Sequence, residues 1–115
     1  MNRILFVLFV LIFYGSLYPG GIYICEYKSE ANIKVYIAEY ESEADLCVFV
    51  AQYRSEAEDE DGVWYFEDYA SNADAKIYYV KYKSEADLII YFVDYKSEAG
   101  WRLQNKFRGR LRHNS

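Results

Sequence analysis

The chain contains little of what enzymes and metal centres are usually built from. Its only histidine, His113, is near the C-terminus, and it has two cysteines in 115 residues. A histidine-centred zinc or acid–base site and a cysteine-rich metal cluster are therefore not expected. A glycine-rich phosphate loop and a serine–histidine or cysteine–histidine pair are also missing from the sequence pattern. We predict a protein that is not an enzyme and that uses no cofactor.

The aromatic content is high. There are 14 tyrosines, seven phenylalanines and two tryptophans, and hydrophobic residues make up 53% of the chain. This composition is too apolar for a disordered chain, and one proline and six glycines exclude a collagen-like or low-complexity protein. The length allows one small domain.

Charge divides the chain into zones. All 18 acidic residues lie in residues 26–98, whereas residues 102–115 contain five basic residues and no acid. Because an acidic domain repels phosphate, we do not expect nucleic acid to be a partner. The basic tail predicts contact with an anionic envelope surface or an unknown protein; disorder and docking on its own acidic domain are the alternatives. Its basic residues are Arg102, Lys106, Arg108, Arg110 and Arg112.

Residues 1–20 have the layout of a secretory signal. Arg3 precedes an uninterrupted apolar run over residues 4–14, and a Pro-Gly-Gly turn follows. The cleavage site lacks the usual small residues, so an uncleaved membrane anchor extending to Tyr18 and a buried strand remain alternatives. The first two interpretations predict export: a secreted or periplasmic protein, or one that touches the membrane only through this segment.

Residues 21–101 consist of six copies of one unit. Each copy contains a tyrosine followed by a phrase close to x-Ser-Glu-Ala-Asp, and Asn72 replaces the glutamate in the fourth. The tyrosines are 13, 13, 16, 13 and 13 residues apart, so a three-residue insertion separates two sets of three units. These tyrosines are Tyr27, Tyr40, Tyr53, Tyr69, Tyr82 and Tyr95.

Every unit begins with a predicted strand. Bulky apolar or aromatic residues occupy the positions five, four and three before the repeat tyrosine, as in Ile77, Tyr78 and Tyr79. Adjacent apolar positions predict strands covered on both faces. Regular spacing predicts that the repeat tyrosines, Tyr40 and Tyr82 among them, pack in the core. The final Asp or Asn of each unit is expected to cap the start of the next strand. The fold class is all-β: a small single domain of six strand–turn units, arranged as three plus three, that stays a monomer.

The run KIYYVKYKSEADLIIYFVDYKSEAGW, over residues 76–101, resembles the septoil knot domain family. The resemblance covers residues 22–101 and rests on the repeated Tyr-x-Ser-Glu-Ala-Asp phrase and the closing Ser-Glu-Ala-Gly-Trp. It implies a small β-rich bacterial domain of unknown function whose backbone forms a seven-crossing torus knot. It supplies no activity, cofactor or catalytic residue.

Two groups of acidic residues are candidate calcium sites. The acids of the repeated turns are one, although calcium loops of this kind carry glycine where these turns carry alanine. The other is the acidic run at the insertion, which could bind a cation or a basic partner or form a solvated loop. This run is Glu58, Asp59, Glu60 and Asp61.

Three further residues are candidates. Cys25 and Cys47 have the same parity in their strands, so an exported protein could join them in a cross-strand disulfide; otherwise they are small apolar fillers. Trp64 departs from the regular pattern and is a candidate partner contact. The function predicted is a non-catalytic exported structural or protein-interaction module, with a calcium-responsive binding domain as the alternative.

Overall fold

A computed structural model describes residues 21–57 and 60–103. It confirms the all-β class and places one strand in each repeat. Because the strands are rich in β-branched and aromatic residues, they form where the sequence predicts them. The strands are β1 Gly21–Ile24, β2 Ile33–Ile37, β3 Leu46–Val50, β4 Val63–Phe66, β5 Ala75–Tyr79, β6 Leu88–Phe92 and the short β7 Gly100–Trp101.

The first six strands form a closed parallel barrel. The order of pairing is β4-β1-β5-β2-β6-β3, and β3 pairs with β4 to close the ring. The strands β1, β2 and β3 therefore alternate with β4, β5 and β6. In its first circuit around the barrel axis the chain forms β1, β2 and β3 and leaves a space beside each strand. In its second circuit β4, β5 and β6 occupy these spaces. The seven-crossing torus knot that the resemblance implies stays a prediction.

Short crossovers connect successive strands. Each leaves the carboxyl end of one strand, forms a single 3-10 turn and returns to the amino end of the next; residues 25–32, for example, link β1 to β2. Several turns contact the strand that they cross, such as η1 against β5 and η2 against β6. The turns are η1 Lys28–Glu30, η2 Glu41–Glu43, η3 Arg54–Ala57, η4 Ala70–Asn72, η5 Lys83–Glu85 and η6 Lys96–Glu98.

The core fills the inside of the barrel. The inward positions, seven and five before the repeat tyrosine, are buried in every strand where both are described, whereas the outward positions are mostly half-buried under the crossovers. Both strand faces are therefore covered, as predicted, but the inner face is buried more completely than the outer one. The central cluster consists of Ile22, Ile33, Val35, Leu46, Val48, Trp64, Ala75, Ile77, Leu88 and Ile90.

The repeat tyrosines are on the surface. Their exposed fractions range from 58% for Tyr82 to 70% for Tyr69, and Tyr40 is 63% exposed. The prediction that they form the core is wrong, because each comes just before its 3-10 turn, where the backbone has already left the barrel. The regular spacing of the tyrosines therefore marks a surface position that recurs in every repeat.

Asp and Asn side chains cap the amino end of the barrel. The closing Asp of a unit accepts from the first amides of the strand beside it in the barrel, so the prediction of a cap on the next strand in sequence is wrong about which strand is capped. Asp74 Oδ2 accepts from the Gly21 amide (3.0 Å), while the Asp74 amide donates to the Gly21 carbonyl (2.8 Å). Equivalent side-chain bonds join Asp87 to the Lys34 amide, Asp45 to the Ile89 amide and Asn32 to the Lys76 amide.

The exposed position of the repeat tyrosines leads to a prediction about stability. Ile90→Val removes one methylene from a fully buried side chain and should lower the free energy of unfolding by about 0.5–1.5 kcal/mol. Tyr40→Ala removes a whole ring from the surface and should lower it by less than about 0.5 kcal/mol. Urea denaturation of both variants measures the comparison. A loss of about 3 kcal/mol or more for Tyr40→Ala would restore the tyrosine to the core.

Candidate functional site

One end of the barrel carries a ring of apolar side chains. Since the six strands are parallel, their last residues all lie at the same, carboxyl end. Ile24, Ile37 and Val50 are 42–43% exposed, whereas the aromatic members from the second circuit pack against the core. We call this ring the rim; its residues are Ile24, Ile37, Val50, Phe66, Tyr79 and Phe92.

The exposed tyrosines follow the rim directly in sequence. Each repeat tyrosine comes three residues after a rim residue, as Tyr27 follows Ile24 and Tyr82 follows Tyr79. The rim and the six repeat tyrosines together are called the carboxyl-end surface. Apart from Leu103, every large hydrophobic residue that is exposed in the described chain belongs to this surface. Exposed apolar and aromatic groups gathered at one end of a small domain are typical of a protein-binding surface.

Local contacts fix parts of this surface. The ring of Phe66 meets the buried Trp64 edge to face, with ring centroids 6.3 Å apart and planes at 86°. The Lys81 ammonium lies 5.5 Å from the centroid of the Tyr82 ring, a cation–π contact. Burial raises the pKa of Tyr79 to about 12 from 10.0. The aromatic half of the rim is therefore held rigidly, whereas the aliphatic half is open.

A second candidate is a groove between crossovers η4 and η1. It has a volume of about 420 Å³ and lies over the outer side of β1 and β5. Burial, and then the Glu30 carboxylate, raise the pKa of the Cys25 thiol, while Lys76 opposes them. We call it the Glu30 groove; it is lined by Tyr23, Cys25, Ser29, Glu30, Ala70 and Lys76.

The acidic run at the insertion has a structural role. Asp61 is buried, and both tryptophans bond to it: Trp64 Nε1 donates to its carbonyl and Trp101 Nε1 to its Oδ2, each at 2.7 Å. Glu60 is exposed, and Glu58 and Asp59 lie outside the described residues. Within the described part of the chain, no group of three or more His, Cys, Asp or Glu side chains could hold a metal ion. Asp61 thus anchors the break in the repeat.

The structure corrects the prediction for Trp64. Its side chain is fully buried, so it has no surface with which to contact a partner. The physical reason is its register: Trp64 lies five residues before Tyr69, an inward position that is buried in every repeat. Inside the barrel the indole donates to the Asp61 carbonyl.

The two cysteines are separate. Both are buried free thiols, and Cys25 follows β1 whereas Cys47 lies in β3, strands that are not paired in the barrel. The geometry needed for a cross-strand disulfide is therefore not met. Burial, and then Glu41, raise the pKa of Cys47, which Arg102 lowers. Both residues fit the alternative of small apolar fillers.

Sequence reasoning missed an ion pair in which Glu67 is buried and Arg54 is half-buried. Arg54 makes a bidentate contact with Glu67, with Nε to Oε2 at 2.9 Å and Nη2 to Oε1 at 2.8 Å. The guanidinium also lies 5.7 Å from the centroid of the Tyr65 ring. The sequence did contain a signal for this pair: Glu67 occupies a repeat position that is Cys, Ala or Val in the other units. Gly21 leaves room for it, since a Cβ there would lie 2.6 Å from Glu67 Oε2.

The start of the basic tail docks on the domain. Arg102 Nη1 donates to the carbonyls of Ala44 (2.8 Å) and Ser42 (3.3 Å), and its amide donates to the Asp45 carbonyl (2.7 Å). This contact agrees with docking of the tail on its own domain as far as Arg102. The other predicted contact residues, Lys106, Arg108, Arg110 and Arg112, lie outside the described residues, as do residues 1–20.

Comparison with known proteins gives one match. Residues 21–102 match the model of a family described as the 7(1) septoil knot domain. No curated protein and no solved structure matches the chain. None of the helical turns in residues 21–57 and 60–103 is long and apolar enough to span a membrane.

The half-buried phenol of Tyr79 leads to a prediction about the pH dependence of stability. Because the folded pKa of Tyr79 lies above its ordinary value, folding is favoured fully below about pH 10 and loses this contribution as the pH rises through 12. Tyr79→Phe removes the titration, so it should retain about 2 kcal/mol more of its stability than the wild type on going from pH 9 to pH 11.5. The exposed Tyr82→Phe is the control and should follow the wild type. Urea denaturation across this range measures all three, and equal losses for Tyr79→Phe and wild type would contradict the prediction.

Proposed function

The chain belongs to the septoil knot domain family, and from this premise and its exposed carboxyl-end surface we propose that it is a non-catalytic protein-interaction module. One observation carries the proposal. The large hydrophobic groups exposed in the described residues are gathered, except for Leu103, on the rim and the repeat tyrosines at one end of the barrel. Tyrosine is enriched at protein interfaces because its ring supplies apolar area and its hydroxyl a hydrogen bond.

The scaffold supports this role. The carboxyl-end side chains are carried by strand ends and by the first residues of the crossovers, both of which the closed barrel holds in place. A preorganised surface loses little conformational entropy on binding. The amino end, in contrast, is occupied with its own backbone through Asp45, Asp74 and Asp87.

The proposal includes export. The apolar run over residues 4–14 behind Arg3 supports a secretory signal or an anchor, with the module on the outer side of the membrane. The sequence also supports a role without catalysis, since its only histidine is His113 and it carries no phosphate-binding loop. The calcium-responsive alternative stays a prediction, and one of its candidate ligands, the Asp61 carboxylate, accepts a hydrogen bond from the Trp101 indole.

The test is capture of a partner by the full-length protein from envelope and soluble fractions of its host. Tyr40→Ser with Tyr82→Ser should lower the captured amount at least about tenfold, whereas the melting temperature stays near that of the wild type. The matched control is Ser84→Ala with Glu85→Gln, which changes exposed residues on a crossover and should leave capture unchanged.

The salt dependence of partner capture distinguishes binding by the carboxyl-end surface from binding by the basic tail. An apolar interface should hold its partner at high salt, whereas a contact made by the basic residues after Gly100 should be lost. Capture that survives the tyrosine substitutions, capture that disappears in salt, or no partner in any fraction would each contradict the proposal.

A further inference from the structure

The crossovers form a belt in which neighbouring turns share ion pairs. In two cases the lysine after the repeat tyrosine of one turn pairs with the glutamate of the next turn around the barrel. Lys28 of η1 pairs with Glu85 of η5 (3.9 Å), and Lys83 of η5 pairs with Glu43 of η2 (3.4 Å). Both pairs follow from the strand order, because η1, η5 and η2 cross the neighbouring strands β5, β2 and β6.

The next position in this belt has no lysine. Crossover η4 joins β4 to β5 and so passes β1, which places it beside η1. The residue that should pair with Glu30 is Ala70, whose methyl group cannot reach it. In the described chain Glu30 forms no ion pair equivalent to those of Glu85 and Glu43. The Glu30 groove lies at this gap and has Ala70 and Glu30 in its lining.

We propose that the Glu30 groove binds the side chain of a lysine presented by the protein partner. At the two equivalent places Lys28 and Lys83 extend their own side chains to the glutamate, and the Glu30 groove is open where Ala70 stands instead. The Glu30 carboxylate would accept the ammonium, and Tyr23 and Ala70 would contact the alkyl chain. This inference rests on the proposed protein-interaction function and adds one element of specificity to it.

A cation already in the groove does not prevent this. Lys76, which lines the Glu30 groove, lies six residues before its repeat tyrosine, and Lys34 has the same position in the next unit around the barrel. There the ammonium of Lys28 still reaches Glu85 at 3.9 Å. A free lysine side chain can therefore be accommodated opposite Glu30 in the presence of Lys76.

The test titrates the full-length protein with Nα-acetyl-lysine methylamide and follows the backbone amide NMR signals of Ser29, Glu30 and Ala70. We expect saturable shifts with a dissociation constant of about 1–10 mM, since a single exposed ion pair is weak. Nα-acetyl-norleucine methylamide has a similar chain without the charge and should give no saturable shift. Ala70→Lys supplies the missing internal side chain and should abolish binding, and Glu30→Gln should weaken it at least about fivefold. Ala70→Ser leaves the groove open and is the matched control that should bind like the wild type.

Several outcomes would overturn the inference. These are a wild-type titration without saturable shifts, equal binding by Glu30→Gln, or binding of n-butylamine without binding of the lysine derivative.

Partner capture distinguishes failure of this inference from failure of the function on which it rests. If Ala70→Lys still captures the partner while the tyrosine double variant does not, the interaction function stands and the groove inference fails. If neither variant loses the partner, the proposed function fails.

Discussion

The length of the crossovers is the constraint on which the structure depends. Parallel strands are usually connected by a dozen or more residues, often with a helix. Here four of the five crossovers between barrel strands have only eight residues, as residues 25–32 do, to return the chain to the other end of the barrel, with room for one 3-10 turn. A link of this kind passes over one strand, and the chain leaves one gap at every step of its first circuit. Since unpaired parallel strands expose their backbone groups, the second circuit must enter those gaps.

The two circuits explain why the ends of the barrel differ. At the amino end, the residue that closes each of the four eight-residue crossovers lies beside the first amides of a strand from the other circuit, so Asp and Asn satisfy the backbone there. At the carboxyl end the chain turns outward, and the last residues of β1, β2 and β3 and the repeat tyrosines remain exposed. The same repeat therefore produces a closed polar end and an apolar end. Departures from the repeat, Ala70 among them, give the surface its asymmetry.

Much of the fold could be predicted from the sequence, and the errors have physical causes. Spacing located the strands and the insertion, because both follow from residue types along the chain. Spacing could not decide whether Tyr40 faces inward, since that depends on where the backbone leaves the barrel. Trp64 was misplaced for a different reason: it shares the inward register of Ile77 and Ile90, but its larger side chain was interpreted as a departure from the repeat. The Glu30 groove could not be predicted without knowing that η4 and η1 are neighbours.

The central claim is that neither circuit has a complete set of neighbours without the other. Native-state hydrogen exchange tests it most directly, at amides that bond between the circuits. The Ala38 amide donates to the Ile90 carbonyl at 2.7 Å, and the Val80 amide donates to the Val35 carbonyl at 2.8 Å. If the circuits unfold only together, both amides should exchange with the same free energy, within about 1 kcal/mol, and that value should equal the global free energy of unfolding. Two separate levels of protection, one for β1–β3 and one for β4–β6, would contradict the account.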